Sequence, residues 1–206
     1  MKYIFKIVKI VLVISLITSI SIIASPKKEK LQEEEIKNNF IGTSLMIITS
    51  FIPSLDVDFY EIDYGRKLST NDYFLIGAHI YRIDAPMSCM SDCLKYPGPI
   101  WTYGPIIGYE YVFNNNILIS QLLNPMKLDY YDEASNKMES GYMVLFATRV
   151  GYKFQFSLGS IPFYFEIAAE FNIWPLASKG PEQFKSIDDK YTIYTFAPAI
   201  NAGIIF

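Results

Sequence analysis

The chain has 206 residues, of which 51% are hydrophobic, 16% are aromatic and only 19% are charged. Soluble domains average about 25% charged residues, so the charge is low and the aromatic content high for a soluble domain. The formal net charge of −3 argues against a nucleic-acid partner. Few charges, many aromatic residues and no apolar run of helical transmembrane length after the first thirty residues are typical of a transmembrane β-barrel.

The first 24 residues have the pattern of a secretory signal peptide. Lys2, Lys6 and Lys9 form a basic start, and Ile10–Ile23 is an uncharged, mostly apolar core. Cleavage would remove three lysines and leave a charge of (18 − 3) − 21 = −6 on the mature chain. An uncleaved anchor helix is the alternative, although a spanning helix usually needs about 20 apolar residues. We therefore expect residues 1–24 to direct export.

Residues 25–39 are charged and lack aromatic side chains, and we expect them to form a periplasmic tether ahead of a barrel at 40–206. From Phe40 onward, apolar residues alternate with polar or small ones, which predicts β-strands. The eight predicted strands are Phe40–Ile52, Asp56–Arg66, Asp72–Ile83, Trp101–Phe113, Ile117–Tyr131, two within Gly141–Pro175 on either side of a break at Ser157–Ile161, and Lys190–Phe206. The fifth is the least regular, because Asn124-Pro125 interrupts it.

The predicted connections alternate in length. Those after strands three, five and seven are long and polar: Asp84–Ile100, Asp132–Ser140 and Leu176–Asp189. Those after strands two, four and six are short, and the first, around Pro53–Leu55, is a short exception. Short turns on one side and longer loops on the other are typical of a transmembrane barrel with both ends in the periplasm.

The volume of the apolar face indicates that it points outward. Strands four, six and seven alone would place twelve aromatic rings there, and an eight-stranded interior is only wide enough for side chains or one small ligand. Glycine and alanine dominate the opposite face, for example at Gly108, Ala147 and Gly151. A register slip by one residue would turn the charged face toward lipid, at about 2–4 kcal/mol for each basic residue. The sheet is expected to close, with strand eight against strand one, because an open edge in hydrocarbon is costly.

The end of the chain has an alternating pattern of its own. Phe206 is preceded at alternate positions by Ile204, Ala202 and Ile200, with Pro198 predicting a bulge or the strand's outer rim. With this ending, the chain resembles the small eight-stranded outer-membrane barrels of Gram-negative bacteria, of the OmpX type or the OmpA transmembrane-domain type. The resemblance implies an all-β, antiparallel, up-and-down barrel in outer-membrane lipid. It also implies that Phe206 is the signal read by the barrel-assembly machinery.

The polar face of the predicted barrel carries a set of charged residues that we call the lumen charge network. Its members are Glu61, Asp63, His79, Glu110, Arg149, Lys153, Glu166 and Glu170. In an interior of low dielectric constant such groups must pair or take up protons. Two interpretations follow: an ion-paired plug that holds the barrel rigid, or a narrow pore that uses the charges.

Other candidate chemistry is sparse. His79 is the only histidine and has no neighbouring serine, so a lipid-modifying outer-membrane enzyme is a lesser alternative. Cys89 and Cys93 lie in the longest predicted loop, where an oxidising compartment favours a disulfide over free thiols or a metal site. No cofactor or metal motif is recognisable, and the oligomeric state is not indicated. The expected function is that of a non-enzymatic outer-membrane barrel with surface-exposed loops and a structural or surface-interaction role.

Overall fold

In a computed structural model, the protein is described over residues 39–51, 58–85, 94–132, 135–178, 187 and 194–206. The strands are β1 (Asn39–Ser44), β2 (Asp58–Lys67), β3 (Asp72–Ile83), β4 (Ile100–Val112), β5 (Ile117–Asp132), β6 (Lys137–Leu158), β7 (Ile161–Ser178) and β8 (Tyr194–Ile205). One 3-10 helix, η1 (Leu45–Phe51), follows β1. The predicted signal peptide, the tether up to residue 38, and Cys89 and Cys93 lie outside the described residues. No helix within the described ranges is long and apolar enough to cross a membrane.

The strands form one closed antiparallel barrel in chain order, which confirms the predicted fold class. Each strand pairs with the next, and β8 pairs with β1, where Phe40 lies opposite Ile205. Phe40 can also be connected to β8 the long way round, by moving from each residue to its pairing partner on the next strand. This path crosses β2 to β7 and reaches Thr195 on β8. The stagger on closure is therefore 205 − 195 = 10 residues. Such a stagger accompanies strands that tilt relative to the barrel axis.

The two ends of the barrel differ. The turn end carries the connections β2–β3, β4–β5 and β6–β7, which span only residues 68–71, 113–116 and 159–160. The loop end carries the other connections, of which β1–β2, β3–β4 and β7–β8 span residues 45–57, 84–99 and 179–193. The predicted asymmetry between the two ends is present. The short exception at the loop end is the β5–β6 connection, not the β1–β2 connection as predicted.

Two predicted boundaries were wrong at the loop end. The polar loop expected over Asp132–Ser140 is a tight connection, because β5 and β6 keep pairing as far as Asp132 and Lys137. The first strand does not run to Ile52, since β1 ends at Ser44 and η1 begins at Leu45. There the Ser44 hydroxyl accepts a hydrogen bond from the backbone N–H of Met46 at 3.3 Å, which is typical of a turn rather than a strand.

Prolines within the sheet lie where a ladder partner is missing. β5 passes through Asn124-Pro125 without ending, and the β4–β5 register omits the segment where Pro105 and Pro125 lie opposite each other. Each is paired on its other side, to Ala78 and Val144 respectively. Proline has no N–H to donate. Because the two prolines face each other, the missing hydrogen bonds are confined to one short segment of the β4–β5 pairing. Pro198 pairs with Ala169 without a bulge and lies beyond the end of β1.

The faces of the sheet are oriented as the sequence predicts. Phe154, Phe171 and Phe196 are among the exposed outward-facing rings, whereas Arg149 and Glu166 are only 8% and 3% exposed inside the barrel. Three apolar clusters occupy the lumen. The one nearest the turn end contains Phe40, Leu75, Ile106, Leu122, Ala147 and Tyr164; the next contains Tyr81, Met126, Met143 and Leu145; the one nearest the loop end contains Ile100 and Tyr130.

Candidate functional site

The lumen charge network is brought together inside the barrel. β2 contributes Glu61 and Asp63, β3 His79, β4 Glu110, β6 Arg149 and Lys153, and β7 Glu166 and Glu170. All eight occupy the inward phase of their strands, because they are an even number of residues from buried neighbours on the same strand. Five carboxyl groups therefore face two permanent cations and one histidine.

Arg149 is the central cation of the network. It lies directly opposite Glu170 in the β6–β7 register, and its Nε donates to Glu170 Oε2. Its Nη2 lies 3.6 Å from Glu61 Oε1 on the far side of the lumen. Arg149 thus links β6 to both β7 and β2. Removing one partner of such a buried pair typically costs about 3–5 kcal/mol, because the other charge stays buried and unpaired.

Lys153 is held in an aromatic cage near the turn end. Its side chain is 1% exposed, and its Nζ donates to Glu110 Oε1 at 2.5 Å. The same Nζ lies 3.9, 4.5 and 5.2 Å from the ring centroids of Phe40, Tyr164 and Tyr73. A desolvated cation over aromatic faces gains about 2 kcal/mol. The cage gives the lumen a closed floor built around one ammonium group.

Neutral side chains complete the network at positions that sequence reasoning missed. Ser120 Oγ donates to Glu110 Oε2 at 3.2 Å. Asn172 Nδ2 donates to Glu170 at 2.8 Å, and Asn201 Nδ2 donates to Glu166 at 3.1 Å. The two-residue period could have identified them, because each of these residues, like Tyr73 and Tyr164, lies on the inward-facing side of its strand.

Glu61, Asp63 and His79 form the least satisfied part of the network. Glu61 and Asp63 leave β2 on the same face, two residues apart. His79 lies directly opposite Glu61 on β3 and is 6% exposed. Glu61 Oε1, Asp63 Oδ1 and His79 Nε2 are buried without a hydrogen-bond partner. Within the described ranges, no three His, Cys, Asp or Glu residues are arranged to hold a metal ion.

The outward face of the barrel has its own polar boundaries. At the loop end, Tyr103 donates to Asp129 at 2.6 Å, Lys127 donates to Tyr103 at 2.9 Å, and Arg82 pairs with Asp58 at 2.8 Å. We call these five residues the loop-end polar row. The turn-end polar row consists of tyrosines bound to polar neighbours: Tyr109 with Asp72, Tyr111 with Asn71, and Tyr152 with Asn116.

The surface between the two rows, the outer belt, is apolar. None of its described outward-facing side chains is Asp, Glu, Lys or Arg. Two of its polar side chains donate within the barrel: Thr148 Oγ1 donates to Gln121 Oε1 at 3.1 Å, and Thr43 Oγ1 donates to the Glu61 carbonyl at 2.5 Å. The belt thus offers little to water.

The remaining predicted site residue is Phe206, whose exposed ring follows the outward phase of Ile204. Its backbone N–H and carbonyl bond to Asn39 at 2.8 and 3.0 Å.

No protein-family model, curated protein or solved structure gives a significant match to the chain. The fold is compatible with a small outer-membrane barrel, and functional inference depends on the geometry of the molecule itself.

Proposed function

We propose that the protein is an integral β-barrel of a bacterial outer membrane with a non-enzymatic, structural or surface-interaction role. The observation that carries the proposal is the outer belt with its two polar rows. The acyl chains of a lipid cannot hydrogen-bond to a side chain, so a surface that faces them should lack charge and satisfy its polar groups internally. The outer belt lacks charged side chains among the described residues, and both of its threonine hydroxyls described above donate within the barrel.

The height of the belt supports the same proposal. Trp101 and Tyr111 lie 111 − 101 = 10 residues apart on β4, close to the two polar rows. At about 3.4 Å per residue and a strand tilt of about 40°, ten residues rise about 26 Å along the barrel axis. The apolar band of outer-membrane barrels is about 25 Å tall and is flanked by aromatic girdles. The aromatic residues near the two rows are suited to those positions.

The test is membrane fractionation of cells that express the full chain, followed by electrophoresis with and without boiling. We expect the protein in the outer-membrane fraction, with faster migration of the unboiled sample because the closed barrel resists detergent. Recovery in the periplasm or the culture medium as a water-soluble protein would overturn the proposal.

A pore is the second candidate, because the charge network lines the path that ions would take. The closed floor around Lys153 and the apolar clusters in the lumen favour a plug instead. Planar-bilayer recording of the purified barrel separates the two. A plug predicts no steady conductance in the wild type, whereas a conductance that changes in Arg149→Ala would assign the lumen to ion passage.

The enzyme alternative depends on His79, which is buried in the lumen with its ring centroid 5.3 Å from that of Tyr81. A lipid on the outer belt would not reach that ring. We therefore expect His79→Ala to leave the composition of lipid A unchanged. An altered lipid A profile that depends on His79 would favour the enzyme.

A further inference from the structure

Glu61 and Asp63 occupy neighbouring inward-facing positions on β2. They project from the same face of β2, two residues apart, and each has an oxygen atom that is buried without a hydrogen-bond partner. An ionised carboxylate can only accept a hydrogen bond. The two unpartnered oxygens therefore need a donor, and a proton held by one of the two carboxyl groups supplies it, as when like charges share a buried site.

The two cations of the network have their closest partners outside the Glu61–Asp63 pair. Arg149 uses its Nε for Glu170, and its Nη2 lies 3.6 Å from Glu61 Oε1, which is beyond the usual length of a hydrogen bond. Lys153 is occupied by Glu110 and the aromatic cage. Five carboxyl groups against two cations leave 5 − 2 = 3 negative charges if every carboxyl group is ionised. Burying such an excess is expensive.

His79 supplies an independent observation at the same place. It lies opposite Glu61 in the β2–β3 register, is 6% exposed, and has its Nε2 buried without a partner. Glu61 Oε1 and Asp63 Oδ1 are buried without a partner as well. While ionised, both carboxyl groups can only accept hydrogen bonds, and Glu61 Oε1 and Asp63 Oδ1 have no donor, so a proton held by the pair would supply one.

We propose that the Glu61–Asp63 carboxyl pair is a proton-binding site that holds one proton in the folded barrel at neutral pH. The ionisable groups around it are His79 on β3, Glu110 on β4, Arg149 and Lys153 on β6, and Glu166 and Glu170 on β7. The site rests on the packing of the lumen and goes beyond the proposed membrane role, so either proposal can fail without the other.

Infrared spectroscopy of the full-length folded barrel in detergent tests the proposal, because a protonated carboxylic acid and a carboxylate absorb at separate frequencies. At neutral pH we expect a protonated-acid band in the wild type that Asp63→Asn abolishes. Glu61→Gln is the second variant, since its amide can still donate to Asp63 and preserve the fold. Glu139→Gln, at an exposed position on the β6 tip, is the matched control and should leave the band unchanged.

Unboiled electrophoretic mobility verifies that each variant has closed. The wild-type spectrum also tests the site by itself, so a variant that does not fold does not prevent a decision. Absence of the band in the folded wild type at neutral pH overturns the proposal. So does a band that persists in both folded variants. A band that appears only when sodium and potassium are replaced by choline would identify an alkali cation as the occupant and would also overturn it.

Discussion

Gln121 and Thr148 lie directly opposite each other on the outward faces of β5 and β6, with Thr148 Oγ1 3.1 Å from Gln121 Oε1. On a water-facing sheet this pair would gain little from bonding to itself. In lipid, each side chain is the partner that the other needs. We expect Thr148→Val alone to lower the free energy of unfolding by about 1–3 kcal/mol, because it leaves Gln121 Oε1 without its donor. Urea titration of the barrel refolded in lipid vesicles measures the change.

The matched control is the double variant Gln121→Leu/Thr148→Val, which removes both polar groups. It should restore most of the lost stability, since replacing both partners by apolar groups is nearly neutral. If Thr148→Val costs nothing by itself, the outward face of β5–β6 is exposed to water.

The cage around Lys153 gives a second prediction. Lys153→Met should cost about 3–5 kcal/mol of unfolding free energy, because Glu110 would remain buried without its cation. Adding Glu110→Gln should recover much of that loss, since Ser120 can still bond to the amide. Denaturant unfolding of the single and double variants forms the cycle. Equal stability of wild type and Lys153→Met would place the ammonium group in water rather than in the cage.

The closing seam between β8 and β1 depends on two glycines. Gly42 lies opposite Gly203, and a Cβ on Gly42 would overlap the Tyr164 side chain, which packs against the seam from within the lumen. We expect Gly42→Ala to destabilise the barrel by about 1–3 kcal/mol through overpacking. The control is Gly98→Ala, where a Cβ would meet open space. Both are compared by the temperature at which the unboiled form is lost, and equal temperatures would contradict the seam geometry.

Much of this architecture follows from the two-residue period. The orientation of Arg149, Glu166 and Phe154 could be predicted, because a slip of one residue would exchange the faces of the whole strand. The continuity of β5 through Pro125 was also predicted, as Ile117–Tyr131, but its physical basis, with Pro105 lying across the same gap, could not be read from the alternation.

The aromatic cage was missed for a different reason. The outer face was assigned from the bulk of twelve rings on strands four, six and seven, whereas Phe40, Tyr73 and Tyr164 share the inward phase with the charged residues and were not included in the network. A ring in phase with glycines and glutamates is the signal that could have identified it. The end of β1 at Ser44 has no counterpart in the alternation, because apolar residues continue through η1.

The proton-binding site implies a pH dependence of stability. A folded barrel that holds one proton more than the unfolded chain loses about 1.4 kcal/mol of unfolding free energy per pH unit as the pH rises. The loss starts above about pH 4.3, where a glutamate in the unfolded chain gives up its proton, and stops once the folded pair has released its own. Urea titrations from mildly acidic to alkaline pH should show this slope in the wild type and a flatter one in Asp63→Asn. Equal slopes would contradict the site.

The two tryptophans of the chain test most directly which face of the sheet meets lipid. Trp101 faces outward beside Tyr103 near the loop-end polar row, whereas Trp174 packs against the apolar cluster of Tyr81 and Met126 inside the lumen. The variants Trp174→Phe and Trp101→Phe each leave one fluorophore. In vesicles of lipids brominated along the acyl chain, we expect quenching of Trp101 emission and little quenching of Trp174 emission. Quenching of neither, or of Trp174 alone, would contradict a barrel whose aromatic outer belt faces lipid.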